Sequence, residues 1–514
     1  MATQQSDKSQ KRRNLTNSAW GVFDYVAQAI SLLLLTPLLL SNLGDGAYGI
    51  LVIGMTVMGM NGMFSLGLGP ATQHFVAKYR QSEEGQEKKR RLKLVVETSL
   101  ITNVVFGILT GVLVFVLVNT LPSFFTNSSG GMSELILSVV KIASLGLPLV
   151  FITTTVDNAL QGYERFDLSV PLLVGTRIIT TVSQLILLVL GYGLVELISV
   201  VVLCKVLQSC IGIVLLKGSV LPELSLLRPE FSYAELRKFF SFGVFAWISS
   251  LLAAARSSGE VLALAAILGP TVLTLYVIPS RVLSQTNMLL ARAFAFLFPF
   301  ATKLIQEGRT ERVLEVYTSG TRYLCTLSSF AIPTLAVGCG PFLAAWIGQE
   351  RAELIQPVFQ ILAVRFAVLP LSILTTNLLM AAHKTHVITI DLALTSLFVL
   401  PSSAVLAYYF GVEGAAVAQL FVFVPILFIR YYVEKSLFGV ASWSTVALPL
   451  VVSVVPLTFF LLLIQFPANY PLLPTLLASL GVGLTCGLLS WFLTAIIAPV
   501  EHSKVQLQPR NSLG

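Results

Sequence analysis

Eight basic residues lie inside long apolar runs of the sequence, where a charged side chain is costly. They are Lys141, Arg177, Lys205, Arg256, Arg281, Arg292, Arg322 and Arg365. Each would cost about 2.5 to 3.5 kcal/mol at a lipid-exposed helix centre, so we expect them to face a hydrated cavity or a partner side chain. Guanidinium and ammonium groups in such a cavity would attract anions such as phosphate or pyrophosphate.

Helical spacing places several polar residues on shared faces, because residues three, four and seven apart project from the same side of a helix. Three stripes result: Arg281, Gln285, Met288 and Arg292; Arg177, Thr181 and Gln184; and Asp24, Gln28 and Ser31. We expect these stripes to point inward. The alignment of Arg281 with Arg292, deep within one apolar run, favours a role in a cavity.

Acidic residues within the apolar runs are fewer: Asp24, Glu97, Asp157, Glu260 and Asp391. We interpret Asp24, Asp157 and Asp391 as candidates for coupling to an ion, with structural pairing as the alternative for Asp24 and Asp391. Arg256 and Glu260 stand at i and i+4 and could simply neutralise each other. Lys141 and Arg322 lie near predicted helix ends, which favours snorkelling to the interface.

The composition indicates an integral membrane protein. Apolar residues make up 55 % of the 514 positions and charged residues 11 %, less than half the charge of a soluble domain. Runs of about 20 apolar residues recur throughout, which predicts fourteen transmembrane helices and an all-α fold. The predicted spans are 17–41, 48–70, 94–121, 134–158, 168–191, 195–217, 239–268, 270–299, 316–340, 353–382, 386–410, 412–433, 443–466 and 472–498.

Basic residues set the predicted orientation, because short cytoplasmic loops retain lysine and arginine. With the N-terminus inside, alternate loops carry the basic residues, Arg430 among them, and Arg351 alone falls outside. Both termini are therefore predicted to be cytoplasmic. This placement of the charge in short loops also argues against nucleic acid as a partner of this chain, whose net charge is +8.

Several chemistries find no support in the sequence. The five cysteines and four histidines share no metal-ligand spacing, and no GxxxxGK[ST] loop is present, so we expect no metal, cofactor or direct use of ATP. The external segments Pro122 to Ser133 and Pro341 to Gln349 lack histidine and aspartate and are too short for a catalytic site. We therefore do not expect an enzyme. A membrane-embedded polysaccharide polymerase or glycosyltransferase is kept as an alternative hypothesis.

Other patterns concern packing and organisation. The pairs Gly107 and Gly111, and Gly483 and Gly487, permit close helix contact. The stretch Leu226 to Phe240 resembles an interfacial helix between two lobes. The segment Asn158 to Arg165 is similar to Asn377 to Lys384, about 219 residues later, which suggests an internal repeat of six helices in one orientation.

A set of short motifs occurs in the order and spacing of one known family. They are Asn17 and Trp20, Pro37, Leu43-Gly44, Tyr48-Gly49, Gly67-Leu68-Gly69, Ala71, Leu160-Gln161-Gly162 with Arg165, Trp346-Ile347-Gly348, Ala381-Ala382-His383-Lys384 and Gly411 to Ala416. The chain resembles the polysaccharide and O-antigen-unit flippases of the multidrug/oligosaccharidyl-lipid/polysaccharide exporter superfamily. The resemblance covers residues 14 to 435.

The resemblance implies a fold of two pseudo-symmetric six-helix bundles, plus two C-terminal helices, around a central cleft. The predicted organisation is a cytoplasmic tail (1–16), a first lobe (17–217), a cytoplasmic linker (218–238), a second lobe (239–435), two further helices (443–498) and a cytoplasmic tail (499–514). The implied location is the bacterial inner membrane.

The resemblance also implies a function, the transfer of undecaprenyl-pyrophosphate-linked oligosaccharide to the outer leaflet by alternating access. Cleft residues would then be Arg177, Arg281, Gln285, Arg292 and Arg365, and the motive force a proton or sodium gradient. Membrane lipids and the polysaccharide polymerase and chain-length machinery would be partners. The alternative is a cation-coupled multidrug exporter of the same fold, which would favour an acidic cavity instead.

Overall fold

The computed structural model consists of helices joined by short turns. It describes residues 2–82, 85–120, 131–225, 228–294, 297–439 and 443–502; for residues 2–22, 443–445, 495–502 and a few single positions the description is limited to the backbone. These ranges contain no strand, so the predicted all-α class is confirmed. The predicted tails and most of the external segment Pro122 to Ser133 lie largely outside the described residues or side chains.

Seventeen helices organise the described chain. They are α1 (Ala2–Gly59), α2 (Leu68–Ser82), α3 (Gly85–Thr120), α4 (Gly131–Gly162), α5 (Phe166–Val189), α6 (Leu194–Ser219), α7 (Tyr233–Ala254), α8 (Glu260–Ala293), α9 (Leu297–Gln306), α10 (Thr310–Val337), α11 (Cys339–Ile347), α12 (Gln349–Val368), α13 (Leu371–Ala381), α14 (Thr385–Ala418), α15 (Phe423–Phe438), α16 (Trp443–Leu463) and α17 (Leu472–His502). A π-helical segment, Ala255–Gly259, joins α7 to α8.

Ten helical stretches among the described residues are long and apolar enough to cross a membrane, or eleven if the bent pair α10 and α11 is one span. Three of the ten are 42, 60 and 54 residues long, and each contains a glycine with non-helical backbone angles, Gly44, Gly269 or Gly411. A helix of 42 residues would be about 63 Å long, twice the roughly 30 Å of bilayer hydrocarbon. The count of fourteen requires that these three stretches are each divided and that the bent pair is one span, and it stays a prediction.

Two local predictions differ from the structure. Residues 228–232 are not helical, and the helix expected from Leu226 begins only at Tyr233, where the Ser232 hydroxyl accepts a hydrogen bond from the Glu235 amide; residues 226–227 lie outside the description. The helix α2, which follows the second predicted span, was missed because its polar residues lower the hydropathy. The predicted span 353–382 corresponds to one apolar stretch, Gln349–Ala381, with a turn at residues 369–370 between α12 and α13.

The chain divides into two compact units, Met1–Thr274 and Leu275–Gly514. The first unit therefore includes α7 and the start of α8, which the sequence assigned to the second lobe. In this unit α3 packs tightly on α4, since a Cβ added to Gly107 would lie 2.7 Å from the Cα of Pro148, and one on Gly111 2.8 Å from the Ser144 carbonyl oxygen. The predicted close contact at this glycine pair is confirmed.

Within the second unit, α17 packs on α10 in the same way. A Cβ added to Gly487 would lie 3.3 Å from the Cβ of Phe330 on α10, and Gly483 meets the same face. The Arg322 guanidinium lies 3.4 Å from the ring centroid of Trp491 on α17. Arg322 therefore stacks on a ring of the neighbouring helix, a cation–π contact, where the sequence suggested snorkelling.

The two segments of the predicted repeat end their helices in the same turn. Glu164 and His383 both adopt φ 57°, in the left-handed region that few non-glycine residues occupy. Each turn has the same three amide-to-carbonyl hydrogen bonds: Tyr163 to Ala159, Glu164 to Gln161 and Arg165 to Leu160, and Ala382 to Leu378, His383 to Met380 and Lys384 to Leu379. The turns at Gly191 and Gly308 have the same hydrogen bonds, so this turn is a common helix ending and the internal repeat stays a prediction.

Candidate substrate and ion-coupling site

An ion pair joins α1 to α5 in the first unit. The Arg177 guanidinium lies 2.5 Å from a carboxylate oxygen of Asp24 and also donates to the Asp24 carbonyl oxygen at 3.2 Å. The Asp24 side chain is 11 % exposed and that of Arg177 28 %. Arg177, which the sequence analysis selected as a cleft cation, therefore pairs directly with Asp24, which it selected as an ion-coupling acid.

The polar stripes on these two helices lie against each other. One turn beyond the ion pair, the hydroxyl groups of Ser31 on α1 and Thr181 on α5 are 2.8 Å apart. The next member of the α5 stripe, Gln184, is buried. Helical periodicity defined the α1 stripe and the α5 stripe separately. The structure shows that the two stripes contact each other and form one polar interface between the helices.

A second charged pair lies on the neighbouring helices α4 and α6. Asp157 on α4 and Lys205 on α6 interact electrostatically, and Arg177 acts on Lys205 in turn. The Lys205 ammonium donates to Gln208 at 2.7 Å. Lys205 was among the eight basic residues in apolar runs, but its spacing gave no sign of its partner on another helix.

These four residues balance in charge, with two acids and two bases. Arg177 therefore sits in a neutral cluster. A proton or sodium ion bound by either aspartate would add one positive charge and weaken the attraction of that aspartate for its facing base.

The second unit contains the remaining predicted cleft residues. Arg281, Gln285 and Arg292 lie along one face of α8, and all three are half-buried. The Ser284 hydroxyl donates to the Arg281 carbonyl oxygen at 2.8 Å within the same helix. Two cations thus share one face of a single membrane helix.

A groove lies where α8, α9 and α13 meet. It has a volume of about 470 Å³ and is lined by Ala291, Phe298, Ser372, Ile373, Thr376, Asn377 and Met380. The lining mixes apolar side chains with the hydroxyl and amide groups of α13. Ala291 is the α8 residue in this lining.

Arg365 and Asp391 occupy other helices of the second unit. Arg365, on α12, is 8 % exposed, and its guanidinium lies 5.3 Å from the ring centroid of Phe366. Asp391, on α14, is half-buried. Arg365 is therefore less accessible to a ligand than the half-buried arginines of α8.

Arg430, which the sequence assigned to the cytoplasmic side, lies in α15 and is 3 % exposed. It donates to the Glu434 carboxylate at 3.1 Å. The Tyr317 hydroxyl on α10 donates to the same carboxylate oxygen at 3.2 Å. Arg430 is thus part of a buried group of side chains from two helices, and the side of the membrane on which it lies stays a prediction.

Arg256 and Glu260 flank the irregular part of the α7–α8 connection. Arg256 belongs to the π-helical segment Ala255–Gly259, and Glu260, which is buried, begins α8. Single π-helical turns within α-helices are frequent at functional sites. Across the ranges that the structure describes, no three acidic, histidine or cysteine side chains gather as a metal site would require.

Comparison with known proteins places these features in a family. Residues 23–192, which include Asp24, Asp157 and Arg177, match the MatE family. The lipid II flippase MurJ, solved in an inward closed conformation, covers 95 % of this chain and 100 % of its own with a TM-score of 0.71 and 11 % identity. Residues 23–192 therefore match the MatE family, and the fold of the chain is similar to that of this solved flippase.

Two further similar proteins differ in their named functions. An inward-facing multidrug resistance MATE family transporter of the MOP superfamily covers 81 % of this chain and 100 % of its own, with a TM-score of 0.63 and 15 % identity. A Shigella flexneri protein named "Putative O-antigen transporter" is 18 % identical over 340 residues, 65 % of this chain and 77 % of that protein. The predicted transporter fold and multi-pass membrane character are confirmed.

Proposed function

We propose that this protein moves a lipid-linked oligosaccharide, carried on undecaprenyl pyrophosphate, from the cytoplasmic to the outer leaflet of the bacterial inner membrane. Both termini would be cytoplasmic, and transfer would occur by alternating access. The relatives named as a lipid II flippase and an O-antigen transporter support a lipid-linked cargo. Polysaccharide polymerase and chain-length machinery would then use the product at the outer face.

The observation that carries this proposal is the pair of half-buried arginines on one face of α8. A single arginine at the bilayer centre costs about 2.5 to 3.5 kcal/mol on insertion scales. Two such costs on one face are offset if the face lines a hydrated path for an anion, since guanidinium binds phosphate oxygens through paired hydrogen bonds. A pyrophosphate headgroup fits that requirement, and the groove between α8, α9 and α13 offers apolar surface to the attached lipid.

The neutral cluster of the first unit, Asp24, Arg177, Asp157 and Lys205, would take part in ion coupling and not in binding of the headgroup. We assign Asp24 and Asp157 to coupling with a proton or sodium ion, and Arg177 to the release of Asp24 when the ion binds. Arg177 is therefore withdrawn from the set that attracts the headgroup. Asp391, in the second unit, is a further coupling candidate.

The test uses Arg281→Gln, Arg292→Gln and the double variant in cells whose surface polysaccharide depends on this gene. We expect the double variant to lose surface polysaccharide and to accumulate the lipid-linked unit, with normal protein in the membrane. The matched control is Arg312→Gln, an exposed arginine paired with Glu315. Normal surface polysaccharide in the double variant would refute the headgroup role.

The second candidate function is multidrug export, which the solved MATE structure supports. Typical substrates of such exporters are cationic, and two arginines on one face of α8 would repel them. Drug susceptibility measured in cells lacking and overproducing the protein distinguishes the two. A changed resistance profile with unaltered polysaccharide would favour the exporter.

A further inference from the structure

A fully buried carboxylate near the start of α3 holds the loop between α6 and α7. Glu97 has no exposed surface. One of its oxygens accepts the Ser225 amide at 2.6 Å, and the other accepts the Glu230 amide at 2.7 Å. Both amides belong to the loop, whose described residues are 220–225 and 228–232, and the carboxylate belongs to a membrane helix.

Main-chain amides in a non-helical segment need partners when they are buried, because an unsatisfied amide costs about as much as a lost hydrogen bond. Glu97 supplies two such partners from one side chain. The next residue, Thr98, supplies a third, as its hydroxyl accepts the Ser232 amide at 3.1 Å. The loop is therefore bound to α3 through its backbone.

Ion pairs extend the same attachment to the surface. Lys93 lies 2.5 Å from Glu230, and Lys89 lies 2.9 Å from Glu223. Lys93 is also 4.0 Å from Glu97. Exposed ion pairs of this kind contribute little to stability individually. The buried Glu97 carboxylate therefore provides the main attachment of the loop to α3.

The start of α7 is fastened to the same unit by further bonds. The Tyr79 hydroxyl on α2 donates to Glu235 at 3.2 Å, and Lys238 donates to the Tyr79 oxygen at 3.2 Å. Two to three turns further along, the Trp247 indole donates to the Met63 carbonyl oxygen at 2.8 Å. The polypeptide from residue 223 to residue 247 is thus attached to α2, α3 and the turn before α2.

We propose that Glu97 is an anchor that makes the loop and the first half of α7 one rigid piece with α2 and α3 throughout the transport cycle. Bending of α7 is then confined to residues beyond Trp247. This inference is independent of the cargo. It concerns which part of the chain moves and not what is carried.

The first experiment measures a distance within the anchored piece. Spin labels are placed at Arg90→Cys on α3 and Arg237→Cys on α7, both exposed positions, in protein whose native cysteines are replaced by serine. In lipid nanodiscs we expect one narrow distance that is the same at pH 5 and pH 8, in sodium and in potassium, and with undecaprenyl pyrophosphate added. A distance that shifts among these conditions would overturn the proposal.

The anchor itself is tested by Glu97→Gln, which leaves a single acceptor oxygen. We expect the labelled distance to broaden and the amides of Ser225 and Glu230 to exchange with deuterium about tenfold faster or more. The control is Glu87→Gln, the same change in the same helix at an exposed residue paired with Arg91. Exchange in this control should equal that of the parent protein.

A milder variant keeps the test decisive if Glu97→Gln fails to accumulate. Thr98→Val preserves shape and removes the acceptor of the Ser232 amide, so faster exchange is expected there, with Ser225 and Glu230 still protected. Unchanged exchange at Ser232 would show that the loop is held by something other than these bonds. Rapid exchange of all three amides in the parent protein would likewise overturn the proposal.

Discussion

The Asp24–Arg177 pair allows a direct test of whether the first unit couples transport to an ion or merely holds two helices together. The perturbations are Asp24→Asn, Arg177→Gln and the neutral double variant. The pair is short, at 2.5 Å, and its side chains are 11 % and 28 % exposed. It therefore lies between an exposed ion pair, worth up to about 1 kcal/mol, and a buried one, whose disruption costs about 3 to 5 kcal/mol.

We expect each single variant to lower the free energy of unfolding by about 2 kcal/mol, because it leaves a partly buried charge without its partner. The double variant should lie within about 1 kcal/mol of the parent, since it leaves neither charge behind. Equilibrium unfolding in mixed micelles measures these values. Arg165→Gln is the control, because it breaks an exposed pair with Asp167 at the end of α4 and should cost less than about 1 kcal/mol.

Transport separates the two roles. If the pair serves ion coupling, the double variant recovers its stability and still fails to export polysaccharide. If the pair is only structural, the double variant recovers both. Full export by the double variant would therefore refute the coupling role, and a coupling energy below about 0.5 kcal/mol would refute the energetic reasoning itself.

Three further predictions concern packing, a buried charge and pH. Arg430→Met should lower the free energy of unfolding by about 3 to 5 kcal/mol, and the double variant Arg430→Met/Glu434→Gln by clearly less, as measured by unfolding in mixed micelles; equal losses would contradict this. Gly107→Ala should reduce thermal stability in detergent, because the added Cβ lies 2.7 Å from a backbone carbon of α4, whereas Gly175→Ala, with nothing within 4 Å, should be neutral or stabilising. The hydrogen bond from Lys93 lowers the pKa of Glu230 from its ordinary value of 4.5. The stabilising effect of this pair is present above that value and is lost only as pH falls through the lowered pKa, so the 90–237 distance should stay constant from pH 8 to pH 5, and a change within that range would contradict this.

Much of the fold was predictable because hydropathy and helical periodicity are local properties of a membrane helix. Each of the fourteen predicted spans lies mainly on helical residues where the structure describes it, and the stripes that contain Asp24 and Arg177 were each found from spacing alone. Spacing defines a face but not the helix that faces it. Lys205 was recognised as a buried cation, yet its association with Asp157 depends on how α4 and α6 pack, which no window of sequence contains.

The failures have a similar physical cause. The burial of Arg430 was not foreseen, because Tyr317, which shares the Glu434 carboxylate with it, lies on α10. The loop before α7 contains the alternation of an amphipathic helix, but its amides bind Glu97, 128 and 133 residues earlier in the chain. In both places a partner distant in sequence overrides the local preference.

Glu97 binds the loop through main-chain amides of the loop. Every residue except proline has such an amide. The side chains of the loop are therefore free to diverge during evolution so long as the backbone path is kept, whereas the acid that receives the amides has no equivalent substitute. Related proteins should accordingly show a variable connection between α6 and α7 opposite a persistent glutamate or aspartate on α3.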